Sequence, residues 1–161
     1  MSDNAPQKID GSAHLRVLQL LHWGVLIAPC MFGIFVVYSN KSPNMDFSRP
    51  NDLFIYIVPL VALAGYFLST FIFRKILDGL HHKKSLQEKL TGYLTASLTK
   101  FALLEGPALL SFFAYLKSNH PLYVLIGISL VVYLFFQRPG KNVLIKDLQL
   151  EHADQHLFKN S

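Results

Sequence analysis

An all-α membrane protein with four transmembrane helices is the fold class this sequence predicts, and three observations predict it. Apolar residues make up 52% of the 161 residues and charged residues only 16%, against roughly 25% charged in soluble domains. The apolar residues are also clustered: 17–38 and 53–73 contain no Lys, Arg, Asp or Glu, and each matches the roughly 20 residues a helix needs to cross a hydrocarbon core. None of the apolar runs alternates polar with apolar residues, as the strands of a membrane barrel do.

The first run, 17–38, is too long for a signal-peptide core and is not closed by a small-residue cleavage site, so it reads as a retained span. The second, 53–73, is equally clean. A third, 92–116, is apolar except for Lys100 and Glu105, and a fourth, 122–137, is shorter but rich in Phe and Tyr. Residues 1–13 are small and polar and read as a disordered tail. Residues 14–138 form the membrane domain, and 139–161 an amphipathic segment and tail.

The net charge of +5 is explained by its distribution. Eleven Lys and Arg fall before the first span, between the second and third, and after the fourth; three fall on the other side, and Lys100 lies within a span. This bias places both termini in the cytoplasm. Basic segments beside anionic headgroups call for the lipid bilayer as partner and for no nucleic acid.

Within the connections, Pro43, Asn44 and Pro50 mark an outer turn, and Asp78-Gly79 reads as the stop of the second helix. Ser85-Leu86-Gln87-Glu88 is a capping box opening the third helix in the cytoplasm. Pro121 suits the first turn of the fourth. Tyr38, Tyr56, Tyr115 and Tyr123 fall near the outer interface, as an aromatic belt would place them. After "RPG", the stretch "NVLIKDLQL" predicts a short helix capped by Asn142, with Leu144 and Leu148 on one face. That helix is expected along the headgroups or against the 74–89 segment. Aligning Pro29 with Pro107 also brings out a faint repeat, which would make the chain two related hairpins.

Glu105 is the first candidate for chemistry. A charge at the centre of a span costs about 2.5–3.5 kcal/mol on insertion scales, so such residues face protein or water and carry function or hold helices together. Pro107 supplies no N–H to the carbonyl of Leu103 and loosens the backbone beside it. The acid could therefore bind a proton or cation, or serve as interhelical glue. Lys100 precedes it by five positions, about 140° around a helix, so the two do not pair as neighbours; Lys100 snorkels to the cytoplasmic interface instead. Gly92, Thr95, Ala96, Thr99, Ala102 and Gly106 fall within about 120° of one another and predict a close-packing stripe.

His22 is a secondary polar candidate within the first span; haem ligation would need a second membrane histidine at its depth, and there is none. Cys30 is the single cysteine, which excludes an internal disulfide and leaves packing as its role. His81-His82 and His152/His156 lie in polar segments and read as solvated surface, so no metal and no cofactor is expected. No P-loop, dinucleotide turn or nucleophile motif is present, which argues against an enzyme.

"GYLTASLTKFALLEGPALLSFFAYL", followed by a fourth span and "RPGKNVLIKDLQL", resembles small four-helix bacterial inner-membrane proteins without an assigned activity, over residues 85–150. "LLEGPALL" alone resembles the carboxylate-bearing helix of the proteolipid subunits of rotary ATP synthases. That resemblance implies that Glu105 is an ion-binding carboxylate; four spans, Pro107 and the lack of a glycine-repeat helix depart from the pattern. The expected function is an accessory or assembly component of a membrane complex, as a homo-oligomer or with other membrane proteins. The alternative is a small oligomeric transporter or proton/ion conductor using Glu105.

Overall fold

The computed structural model describes residues 11–40, 53–83 and 85–150. The tail before Gly11, the turn around Pro43, Asn44 and Pro50, and the pair His152/His156 lie outside the described residues. Among those residues the chain is entirely helical, with α1 Gly11–Ser39, α2 Phe54–His81, α3 Leu86–Ser118, α4 Pro121–Phe136 and α5 Lys141–Asp147.

α1 and α2 are each long and apolar enough to cross a membrane. α4 has 16 residues, and it meets that standard only together with α5, across an 82° bend. α3 is 33 residues long, but its interior Lys100 and Glu105 and its polar first turns lower its apolar character. Large apolar side chains cover the outside of α1 and α2. Leu20 is 72% exposed, Ile34 67%, Leu60 68% and Phe67 63%. Surfaces of this kind suit contact with lipid and not with water.

α3 is the hub. It packs against α2, α4 and α1, while α1 and α2 barely touch each other. The two-hairpin repeat suggested by Pro29 and Pro107 would pair α1 with α2 as it pairs α3 with α4, but the most extensive packing is between α2 and α3. Small residues set the approach distances. A Cβ at Gly65 of α2 would lie 2.6 Å from the Leu103 carbonyl oxygen and 2.7 Å from Pro107 Cγ. The carbonyl that Pro107 leaves without its helical donor thus packs on the Gly65 backbone, where a Cα–H can take the donor's place. The Phe112 ring fits between Gly33 of α1 and Gly127 of α4, each of which would meet it at 2.8 Å if it carried a Cβ.

The core has two parts. The smaller, around Val36, Val58, Ala114, Tyr115 and Tyr123, joins the ends of the helices near the α3–α4 turn. Tyr115 and Tyr123 are buried there, at 5% and 0% exposure, so only Tyr38 and Tyr56 of the expected aromatic belt face outward. The turn itself is set by Asn119 in the left-handed region (φ 57°) and by His120, whose Nδ1 accepts from the Leu122 N–H at 3.3 Å. The larger part, at the opposite end, gathers Leu15, Leu18, Leu77, Leu80, Leu90, Leu144 and Leu148.

Three local expectations are corrected. α2 does not stop at Asp78-Gly79 but continues to His81, because Leu80 packs tightly on Gly92 and draws the last turn into the core. Ser85 does stand at the N-cap of α3, yet its hydroxyl makes no capping bond. α5 begins at Lys141 with Gly140 as its cap, two positions before the expected cap Asn142. Leu144 and Leu148 do share one face and are buried, at 2% and 0% exposure, against the bundle.

Candidate functional site

The polar side chains of this apolar molecule fall into two groups. The first ties the α4–α5 elbow to the other helices. His22 of α1 donates from Nε2 to the Leu134 carbonyl at 2.9 Å, near the end of α4. One turn earlier, Gln19 Nε2 donates to the Pro139 carbonyl at 3.2 Å. From α3, Lys100 Nζ donates to Gln137 Oε1 and lies 4.6 Å from the centroid of the Phe73 ring of α2. Arg138 stacks over Trp23, which in turn meets Phe135 edge-on.

A carbonyl at the end of a helix lacks an intrahelical donor. Here the Leu134 carbonyl takes the Gln137 N–H at 3.0 Å in addition to His22, and Gln19 serves the Pro139 carbonyl in the connection between α4 and α5. Below the elbow, α5 is held by two further bonds. His81 Nε2 donates to the Asp147 carbonyl at 3.0 Å, and the Tyr93 hydroxyl donates to Asp147 Oδ2 at 3.1 Å. Gln19, Gln137, Tyr93 and Asp147 were not singled out by sequence. Nothing in their spacing marks them, because the bonds join residues 37 to 120 positions apart.

The second group is the opposite face of α3. Glu105 is half-buried there and makes no hydrogen bond or ion pair among the described residues. Lys100 and Glu105 do not meet, since Lys100 points toward α2 and the end of α4. The small residues do not form one packing face. Gly92 lies against Leu80 and Ala96 is fully buried, but Thr99 is half-buried and Ala102 and Gly106 are exposed. Gly106 has open space where a Cβ would sit. The reason is rotation: the buried arc of α3 runs through Leu104, Ala108 and Phe112, so the small stripe straddles its edge. Thr95 and Thr99 spend their hydroxyls on the carbonyls of Thr91 and Thr95. The open face therefore presents small groups, apolar groups and one unsatisfied carboxyl.

His22 is fully buried, with its ring edge-on to Phe101 at 4.9 Å; its Nδ1 has no hydrogen-bond partner. Cys30 is half-buried and unpaired. Among the described residues no group of three His, Cys, Asp or Glu side chains is placed to hold a metal ion. Two apolar grooves flank α4. One, of about 550 Å³, lies between α2 and α4 and is lined by Pro59, Ala62, Tyr66, Leu125, Ser129 and Tyr133, among others. The other, of about 480 Å³, lies between α1 and α4 along Cys30, Ile34, Phe112 and Val131. No family model, curated protein or solved structure matches the chain, so neither resemblance drawn from its residues supplies a family or a mechanism.

Proposed function

We propose that this chain is a non-enzymatic four-span protein of a bacterial inner membrane, with both termini cytoplasmic. In this reading it is an accessory or assembly component that offers the open face of α3 to another membrane helix. The placement is supported by depth. At 1.5 Å per residue, His22 lies about 25 Å from the outer end of α1, Lys100 about 27 Å from that of α3, and Gln137 about 24 Å from that of α4. Arg74 lies about 30 Å along α2. Polar residues thus reach a common level on all four helices at about the thickness of a hydrocarbon core. The membrane crossing of α3 is then about residues 100–118, later than the apolar run 92–116. The first turns of α3, the end of α2 and α5 project into the cytoplasm around their own leucine core.

The single observation that carries the function is the unpartnered Glu105 on an exposed, small-residue face of α3. A carboxyl group within the hydrocarbon needs a hydrogen-bonding partner, and Ala102 and Gly106 leave room for a second backbone to come close. The test is capture in mild detergent, after crosslinking from single cysteines at 102 or 106. The expected result is one defined crosslinked product that Gly106→Leu abolishes while the chain stays folded; a chain that remains monomeric in native membranes contradicts the reading.

The same unpaired carboxyl favours a second reading, proton or ion conduction through an oligomer. Glu105→Gln separates the two: an amide keeps the hydrogen bonds of an assembly contact but cannot carry a proton. Flux in reconstituted vesicles that vanishes in this variant selects conduction, and assembly unchanged without any flux selects the accessory role.

A further inference from the structure

The groove between α2 and α4 has a continuation that its apolar lining alone does not show. On α4, Leu125, Ser129, Tyr133 and Gln137 are spaced four apart and form one row. On α2, Pro59, Leu63 and Tyr66 line the same seam, Tyr66 meets Tyr133 with ring centroids 5.0 Å apart, and Phe73 follows Tyr66 two helical turns on. At the cytoplasmic end of this seam stands the Lys100 ammonium, held by Gln137 and the Phe73 ring. Ser129 does not make the groove polar, because its hydroxyl is already bonded to the Leu125 carbonyl at 2.8 Å. The row from Leu125 to Gln137 is about 18 Å long, a little more than half of a roughly 30 Å hydrocarbon core. That is the depth covered by the acyl chain of one leaflet.

We propose that this seam binds one anionic phospholipid of the cytoplasmic leaflet, its acyl chain in the α2–α4 groove and its phosphate on Lys100. The proposal rests on the four-span placement given above. Lysine carries three donors, and only one is engaged by Gln137. Of the charged groups that act on Lys100, Asp147 acts more strongly than Arg74; its carboxylate is bonded to the Tyr93 hydroxyl, so the phosphate is taken by the ammonium's remaining donors.

Native mass spectrometry of the full chain, released from micelles supplied with phosphatidylglycerol or with phosphatidylcholine of identical acyl chains, tests this. The expected result is a single adduct that favours phosphatidylglycerol at least tenfold. Lys100→Gln should lower that preference below threefold and Lys100→Arg should retain it. Ser129→Trp, which fills the groove, should reduce both adducts at least fivefold, whereas Ile34→Trp in the other groove should change neither. Equal uptake of the two lipids by the native chain, or an adduct indifferent to Ser129→Trp in a variant with native helicity, overturns the site. Labelling of single cysteines at Ser85 and Lys117 with a membrane-impermeant maleimide separates the two levels: reaction of both from the same side refutes the four-span placement, and reaction from opposite sides without lipid preference refutes the lipid site alone.

Discussion

Gly65 is the residue where backbone chemistry and packing are most tightly joined. Pro107 deprives the Leu103 carbonyl of its helical donor, and the bare Cα of Gly65 accepts that oxygen at a distance no Cβ would permit. The clash is with backbone and cannot be relieved by a rotamer change. Gly65→Ala is therefore expected to destabilise the fold by about 1–3 kcal/mol, the usual cost of overpacking. Gly24→Ala, where nothing lies within 4 Å, should be neutral or slightly stabilising through the better helix propensity of alanine. Thermal unfolding of the two variants in the same detergent checks the contrast, and equal midpoints would refute the role given to Gly65. Proline 107 is visible in the sequence as a source of a free carbonyl. Its glycine partner is not, because the pair is joined only by the packing of α2 on α3.

At the scale of the element, α5 shows both what patterning reveals and where it stops. The spacing of Leu144 and Leu148 announces an amphipathic helix, and both leucines are indeed on its buried face. Whether that face meets lipid or protein is a tertiary matter, decided by Tyr93, His81 and the leucines of the α2 and α3 ends. For the same reason the end of α2 was not legible: Asp78-Gly79 permits a stop, but Leu80 gains more by reaching Gly92.

Tyr93→Phe removes the donor to the Asp147 carboxylate and should lower stability by about 1–2 kcal/mol. Burial first, and the adjacent Asp147 charge second, hold the Tyr93 phenol above its ordinary value of about 10. In the folded state the phenol thus keeps its proton where the unfolded chain begins to lose it. The contribution of this bond is fully present below about pH 10 and declines as the pH rises above that value. The difference in thermal midpoint between the native chain and Tyr93→Phe should accordingly stay constant from pH 6 to 9 and shrink above pH 10. A difference that already shrinks between pH 6 and 9 would show that the bond is not made by a neutral, buried phenol.

At the scale of the whole molecule, composition and structure meet in the hub position of α3. Two spans are evident from their apolar length alone, since α1 and α2 carry no charge over their membrane halves. α3 is different: its Lys100 and Glu105 obscure it by composition, yet it packs against every other long helix. We propose that α3, enclosed between two candidate spans and a third apolar helix, follows them through the bilayer, and this is the central claim of the four-span account. The lysine bias agrees with it but does not test the crossing of α3 itself.

The direct test is sidedness along that helix. In a Cys30→Ser background, single cysteines at Ser85, Lys117 and Asn142 are labelled with a membrane-impermeant maleimide in intact cells and in inverted vesicles. The account predicts that the cysteine at 117 reacts only from outside and those at 85 and 142 only from the cytoplasmic side. Labelling of 85 and 117 from the same side would contradict it.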